Sequence, residues 1–280
     1  MSHSHSISRS EDFSQPYCSE LGNIPASVCQ IARTGERSSS NPFETRSLKH
    51  GYQFLPQLPV AVLDVTQWSA LSLAGGDIGI LYAKPSSRAL KTPVVFSHGR
   101  LGSAWVWTPY MKYFREHGVT SYVFSTRGHG ESWHLLLLRM VYATDKRMLG
   151  DDLVAGIKAV EMRESSEVVV FGHSSGGGLS QFTINEGSIK VKGLGLLGAM
   201  PGTGCFNPWF TFRLIFHGCH FNSLLSHPFL TKQALFSPEY PEPEIVEFQR
   251  HFNRYERFLW PLGMMLPFIN AKQLLSNILD

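Results

Sequence analysis

The stretch Phe171-Gly172-His173-Ser174-Ser175-Gly176 decides the fold, since it places a serine between two glycines directly after a run of apolar residues. The residues before it, Val168-Val169-Val170-Phe171, predict a strand buried on both faces, and those after it lead into a predicted helix. A strand, Gly-x-Ser-x-Gly and a helix together indicate a nucleophile elbow, in which Ser174 takes a strained backbone conformation. Gly172 and Gly176 lack the Cβ atoms that would collide across so tight a turn. The alternative interpretation is a Gly/Ser-rich surface loop.

Two further motifs precede this turn. Residues 92–99, Thr-Pro-Val-Val-Phe-Ser-His-Gly, predict a strand that runs into a turn at His98-Gly99. Residues 119–124 predict a second strand, followed by the motif Arg127-Gly128-His129-Gly130-Glu131-Ser132. With the serine turn, these motifs resemble the α/β-hydrolase family, whose members commonly show His-Gly after strand β3, Arg-Gly-x-Gly-x-Ser after β4 and Gly-x-Ser-x-Gly after β5. The family usually has an aspartate where this chain has Ser125.

Residues 51–200 alternate between strand and helix patterns. A β-hairpin is predicted with arms at 66–73 and 78–83, helices over 103–117 and 148–163, and a further strand over 191–200. We therefore expect an α/β fold of the α/β-hydrolase type, with a mostly parallel sheet and helices on both faces. Residues 1–50 are rich in Ser, Arg and Glu and poor in large apolar residues, which predicts a disordered extension.

Residues 201–280 are dense in aromatic side chains and contain no clear strand pattern. Helical spacing is clearest over 243–259, where one face would hold Ile245, Phe248, Phe252, Tyr255 and Leu259. This region resembles the helical cap that many α/β-hydrolases insert after strand β6. Most of these aromatics are expected to form the core of the cap, while a subset lines the cleft between cap and sheet. An apolar small-molecule substrate is expected in that cleft.

The chemistry predicted for these residues is acyl transfer. Ser174 is the candidate nucleophile, and the backbone N–H of Ser175, at the start of a helix, is a candidate oxyanion donor. The resemblance assigns the second donor to the backbone N–H of Arg100, which follows His98-Gly99. A serine at the elbow implies cleavage of an ester, thioester or similar acyl bond, as in serine esterases and lipases. The candidate site thus comprises Ser174 and the oxyanion residues Ser175 and Arg100, with the elbow and motif residues Gly172, His173, Gly176, His98 and Gly99.

The sequence does not supply an obvious base for Ser174. The resemblance implies an acid after a late strand and a histidine near the end of the domain, whereas residues 274–280 look like a last cap helix, so the fold is expected to be C-terminally incomplete. His98 and His129 are expected to hold their own turns, and His173 should point away from its neighbour. Asp151 and Asp152 are assigned to the first turn of the helix over 148–163. The open candidates are the cap histidines, namely His217, His220, His227 and His251.

Three hypotheses follow from this pattern. In the first, the chain is a serine hydrolase whose sequence is incomplete, as a fragment or a gene product that ends early. In the second, it is a non-catalytic binding protein on a hydrolase scaffold. In the third, a cap histidine or a partner chain completes the site. The elbow retains both of its glycines, which favours the first hypothesis.

Composition limits the other function classes. The formal net charge is +3 and no dense basic run is present, so nucleic-acid binding is not expected. No run of about 20 apolar residues predicts a membrane span, and the first residues lack the apolar segment of a signal peptide. The four cysteines have no C-x-x-C spacing and are interpreted as free thiols of a cytoplasmic protein. No cofactor is predicted, and His217-Gly218-Cys219-His220 offers too few ligands for a tetrahedral metal site.

Overall fold

The computed structural model describes residues 67–73, 76–85, 90, 92–206, 208, 227–253, 256–257 and 259–278. The predicted disordered extension, residues 1–50, lies outside the described residues. None of the described helices is both long and apolar enough to cross a bilayer.

A six-stranded mixed sheet forms the centre of the described chain. Its strands are β1 (Gln67–Leu73), β2 (Gly76–Ala83), β3 (Val94–Ser97), β4 (Ser121–Phe124), β5 (Val169–His173) and β6 (Gly193–Leu197). They lie in the order β1-β2-β4-β3-β5-β6. The pairs β1–β2 and β2–β4 are antiparallel, and the remaining pairs are parallel. The predicted α/β fold with a mostly parallel sheet is therefore confirmed.

Eight α-helices and one 3₁₀ helix are present in the described ranges. The α-helices are α1 (Thr108–Glu116), α2 (Leu137–Ala143), α3 (Lys146–Glu164), α4 (Ser175–Asn185), α5 (Pro228–Leu235), α6 (Glu242–Arg250), α7 (Leu259–Gly263) and α8 (Ala271–Ser276). The 3₁₀ helix, Ala104–Trp107, precedes α1, so the helix predicted over 103–117 is in fact two segments.

Apolar side chains cover both faces of the sheet because successive strand residues point in opposite directions. On one face, Val95 and Val170 join a cluster that includes the periodic apolar residues of α3, among them Ile157. On the other face, Val94 and Phe96 pack in a second cluster with residues of the 3₁₀ helix and α1. The central strands are thus buried on both sides, which explains their unbroken apolar sequences.

Two predicted boundaries are wrong. The helix predicted over 243–259 ends at Arg250, and the amide of Asn253 instead donates to the carbonyl of Leu101 over 2.8 Å. The amides of His251 and Phe252 still bond to carbonyls of the helix, whereas Asn253 bonds to a distant loop, so the apolar spacing beyond residue 250 does not indicate a single helical face. The strand predicted over 191–200 is shorter, at Gly193–Leu197.

The assignment of Asp151 and Asp152 to a first helical turn is also wrong. Helix α3 begins at Lys146, and the side chain of Asp145 caps it by accepting from the Met148 amide over 2.9 Å. Asp152 instead lies within the helix, buried, and pairs with both sides of the Arg127 guanidinium over 2.7 and 2.5 Å. This ion pair anchors the loop after β4 to α3.

The chain after residue 200 is helical where it is described, in α5 to α8. The described residues of this region add no named strand to the sheet, and an isolated parallel bridge joins Val191 to Ile278. The division into a core over 51–200 and a helical cap over 201–280 stays a prediction.

We expect Asp152→Asn to lower the free energy of unfolding by about 3 kcal/mol, because it leaves the partly buried Arg127 cation without its anion. Urea unfolding of the purified chain measures this change. The matched control is Glu186→Gln, which removes the exposed Arg147–Glu186 pair and should change stability by less than about 0.5 kcal/mol. Equal effects of the two substitutions would contradict a structural role for the buried pair.

Candidate active site

Ser174 occupies the single residue between the end of β5 and the start of α4. Its backbone has φ 52° and ψ −125°. This conformation is energetically unfavourable for a residue that has a Cβ atom. Its amide donates to the Leu197 carbonyl over 3.2 Å, and its own carbonyl accepts from the Gly178 amide over 3.3 Å. The turn is therefore fixed from both β6 and α4. The Ser174 hydroxyl makes no hydrogen bond to any described residue.

The two glycines of the motif are required by close backbone contacts. A Cβ atom on Gly172 would lie 2.4 Å from the Cα of Gly177, and one on Gly176 would lie 2.3 Å from the carbonyl oxygen of His98. Neither neighbour is a flexible side chain, so neither can move aside easily. The two glycines of the Gly-x-Ser-x-Gly motif are thus sterically required in this turn.

The turn after β3 lies directly against Ser174. A Cβ atom on Gly99 would be 3.0 Å from the Cβ of Ser174, which places His98-Gly99 and the following Arg100 beside the elbow. Ser175 is the first residue of α4, where backbone N–H groups have no partner within the helix. The structure thus brings together the residues predicted from the sequence. Their catalytic roles stay predictions.

His173 and Ser174 both lie against the turn after β3, where a Cβ atom on Gly99 would be 3.1 Å from Nδ1 of His173 and 3.0 Å from the Cβ of Ser174. The imidazole of His173 faces the ring of Trp107, with centroids 6.4 Å apart, and the side chain is exposed. Burial of part of the ring lowers the pKa of His173. The expectation that the side chains of His173 and Ser174 point apart stays a prediction.

A buried carboxylate, which the sequence did not reveal, lies behind the turn after β3. The Glu256 side chain is 1% exposed. It accepts from the Leu101 amide over 3.2 Å and from Nε of Arg100 over 3.1 Å, and it contacts Nε2 of His129. The sequence pattern placed Glu256 within a predicted amphipathic helix and so gave no indication of its contacts. A charged Glu256-Arg257 pair within an aromatic run is the sequence feature that could have indicated a buried ion cluster.

The electrostatics of this cluster follow from burial and partners. Burial opposes ionisation of Glu256, but His129, Arg100 and Arg257 together outweigh it and hold its pKa well below the ordinary value. Burial, followed by the Arg257 cation, lowers the pKa of His129. A neutral His129 fits both contacts, with Nε2–H donating to Glu256 and Nδ1 accepting from Nη2 of Arg257 over 3.0 Å. Burial lowers the pKa of Arg257 to about 10, so it stays a cation at neutral pH.

His98 is likewise committed to its surroundings. Its Nδ1 lies 2.8 Å from the Gly99 carbonyl, and its Nε2 accepts from the Thr126 amide over 3.0 Å. Burial, with smaller contributions from neighbouring groups, lowers the pKa of His98 to about 3. Because both nitrogens of His98 and of His129 are occupied, these two residues hold their loops, as predicted, and neither is placed to accept a proton from Ser174.

The cap histidines divide into two groups. His227 caps α5, where its Nδ1 accepts from the Phe229 amide over 3.2 Å. His251 is buried, with Nδ1 2.9 Å from the Glu247 carbonyl and its ring against Trp105. Neither contacts Ser174. His217 and His220 lie outside the described residues, as does the whole segment His217-Gly218-Cys219-His220, for which no metal site is predicted. In the part of the chain that is described, no group of His, Cys, Asp and Glu forms a metal site.

A small cavity joins the polar cluster to the start of α4. Its volume is about 10 Å³, and it is lined by Ser175 and Gly176 together with His98, Glu256 and Arg257. The cluster therefore lies immediately behind the backbone that carries the candidate oxyanion donors.

Comparison with known proteins places this geometry among hydrolases. A family model described as serine aminopeptidase, S33, matches residues 88–239. A Bacillus subtilis protein assigned to the hydrolases is 14% identical, with a TM-score of 0.55 over 79% of this chain and 74% of that one. A carboxyl esterase from Bacillus coagulans is 16% identical, with a TM-score of 0.52 over 75% of each chain.

A monoglyceride lipase from Saccharomyces cerevisiae is 18% identical, with a TM-score of 0.47 over 61% of this chain. The aligned part spans 53% of that lipase. The likenesses to the two Bacillus proteins, at 14% and 16% identity, establish the fold and not the substrate.

Buried neutral histidines predict that stability falls on mild acidification. The unfolded chain binds a proton at His98 near pH 6.5, whereas the folded chain does so only near pH 3. Stability is therefore lost as pH falls below 6.5, by roughly 2 kcal/mol between pH 7 and pH 5 for His98 alone. The lowered pKa of His129 adds to this loss.

Urea unfolding at the two pH values measures the effect. His98→Asn should show a shallower pH dependence, since the titrating group is gone. An identical slope in this variant would contradict the assignment.

The backbone strain at Ser174 predicts an unusual ranking of substitutions. Ser174→Gly should be about 1 kcal/mol more stable than Ser174→Ala, because glycine adopts positive φ without a steric penalty. Thermal or urea unfolding of both variants gives the difference. As a control, Ser180→Gly should be less stable than Ser180→Ala, since Ser180 lies in the interior of α4. A glycine variant less stable than the alanine variant at position 174 would show that the turn is unstrained.

Proposed function

The chain belongs to the serine aminopeptidase S33 family of α/β-hydrolases, and on that basis we propose that it is a serine hydrolase that acts through Ser174. The substrate is an ester, thioester or similar acyl bond of an apolar small molecule. The observation that carries this proposal is the positive-φ backbone of Ser174 at the junction of β5 and α4. Such strain persists only where the surrounding structure enforces it, and it is concentrated at functional sites.

In the proposed reaction, the Ser174 Oγ attacks the acyl carbon and its proton passes to a base. Negative charge develops on the carbonyl oxygen, where the N–H groups of Ser175 and Arg100 donate hydrogen bonds to it. The start of α4 adds a favourable dipole at this oxygen. Collapse of the tetrahedral intermediate releases the alcohol or thiol, and water then cleaves the Ser174 acyl-enzyme.

The apolar class of substrate and the cytoplasmic location are parts of the same proposal. The aromatic composition of residues 201–280 supports an apolar acyl group. The described Cys205 is a free thiol, in keeping with a reducing compartment. No nucleic-acid partner is proposed, since the net charge is only +3.

The test is covalent labelling by an alkyl fluorophosphonate followed by mass mapping. We expect the label at Ser174, since a strained hydroxyl with oxyanion donors is the reactive kind of serine. Ser180 and Ser103 serve as internal controls: both are buried, and Ser180 donates to the Gly176 carbonyl. Ser174→Ala should abolish the label.

Labelling of Ser180 or Ser103 in place of Ser174 would overturn the assignment of the nucleophile. An unlabelled wild-type chain that still binds apolar acyl compounds would instead favour the non-catalytic binding protein. Replacement of His217 and His220 by alanine, one at a time, tests whether either residue supplies the base, because loss of the base should slow labelling strongly.

A further inference from the structure

One short segment clamps the loop that carries the candidate oxyanion donor. Its described residues, Asn253, Glu256 and Arg257, form five hydrogen bonds with residues 100–102. Two come from Asn253, whose amide donates to the Leu101 carbonyl over 2.8 Å and whose side chain donates to the Gly102 carbonyl over 3.5 Å. The loop is thus held by chain that lies about 150 residues further along the sequence.

The remaining three bonds converge on Arg100 and Leu101. Glu256 accepts from the Leu101 amide and from the Arg100 Nε, while Nη2 of Arg100 donates to the Arg257 carbonyl over 3.2 Å. The side chain of Arg100 and the peptide that follows it are therefore both fixed. The Arg100 N–H belongs to the preceding peptide, whose carbonyl, that of Gly99, lies 2.8 Å from Nδ1 of His98. The clamp therefore fixes the chain that directly follows the peptide of the Arg100 N–H.

Leu101 makes this clamp necessary. Its φ is 62°, in the left-handed region that a leucine enters only at a cost in free energy. Without the clamp, the loop would relax toward an ordinary conformation and turn the neighbouring peptides with it. The contact from Glu256 to the Leu101 amide opposes this relaxation directly.

We propose that Glu256 is a positioning residue: its buried carboxylate holds Leu101 in the left-handed conformation and thereby aims the N–H of Arg100 at the oxyanion. This inference rests on the proposed function of the same site. Glu256 acts through the loop and touches no reacting atom.

The chemistry of the contacts requires an anion at this position. Among the described residues, the polar groups that approach the Glu256 carboxylate are donors, namely the amides of Leu101 and Arg257, Nε of Arg100 and Nε2 of His129. The amide of a glutamine has the same shape, but its NH₂ group would face one of these donors and could not accept from it. Glu256→Gln therefore removes at least one of the two bonds from this side chain to the loop, with little change in volume.

Asp152→Asn is the matched control. It also neutralises a buried carboxylate that pairs with an arginine, and Asp152 makes no hydrogen bond to residues 99–102 within the described structure. Any effect that arises from reduced stability alone should appear in both variants.

The experiment measures fluorophosphonate labelling of Ser174 in the full chain, resolved into the maximal rate constant and the half-saturating concentration. Glu256→Gln should lower the rate constant about tenfold or more and leave the concentration unchanged, because the donor acts on the developing charge. Asp152→Asn should change the rate constant less than about twofold at a temperature where both variants are folded. Glu256→Asp, which keeps the charge on a shorter side chain, should recover part of the rate.

A second measurement does not depend on a reaction at Ser174. Hydrogen exchange of the peptide that covers residues 98–103 should accelerate about tenfold or more in Glu256→Gln and stay unchanged in Asp152→Asn. If wild-type Ser174 fails to label while this exchange pattern is seen, the proposed function fails and the clamp stands.

Other outcomes overturn the inference. If Glu256→Gln labels and exchanges at the same rates as the wild type, the carboxylate does not hold the loop. Equal losses in Glu256→Gln and Asp152→Asn would reduce its role to general stability. If Glu256→Gln does not fold, Glu256→Asp is compared with the wild type, and unchanged labelling and exchange in that variant would likewise contradict the proposal.

Discussion

The positive-φ backbone of Ser174 is the constraint on which the arrangement of the site depends. It requires β5 to end and α4 to begin within one residue, so Gly172 and Gly176 must approach backbone atoms that leave no room for a side chain. Because β3 runs parallel beside β5, with Ser97 opposite Gly172, the turn after β3 reaches the same edge of the sheet. The sheet thus brings two loops that are distant in sequence into contact at Ser174.

Behind these loops, the buried polar side chains surround the carboxylate of Glu256. Glu256 is buried, and the cost of its desolvation is offset because each of its neighbours presents a donor. The adjacent histidines, His98 and His129, are neutral by virtue of burial and act as fixed donors and acceptors. The cluster therefore behaves as a rigid support, whereas Asp152 and Arg127 perform a separate task in joining the loop after β4 to α3.

The local motif made the serine turn predictable, because a strand, Gly-x-Ser-x-Gly and a helix follow one another directly in the sequence. Gly172 reports a steric requirement close to itself, against Gly177, whereas the contact that requires Gly176 is with His98 of the turn after β3. The turn at His98-Gly99 could be placed because it directly follows a short apolar strand pattern. Glu256 could not be found in this way, since its role arises from contacts with Leu101 and Arg100 that no periodicity encodes. Asp152 was misassigned because a helix boundary was placed too late, which moved a buried partner of Arg127 to an apparent helix start.

The separation of 155 residues between Leu101 and Glu256 has a consequence for the newly made chain. As the polypeptide leaves the ribosome, β3, β5 and the serine turn are synthesised before the residues that lock the loop beside them. Closing so long a loop is slow relative to local folding. The residues of the serine turn are therefore made well before those that fix the loop after β3, and the contacts of Leu101 with Asn253 and Glu256 can form only once synthesis has passed residue 256.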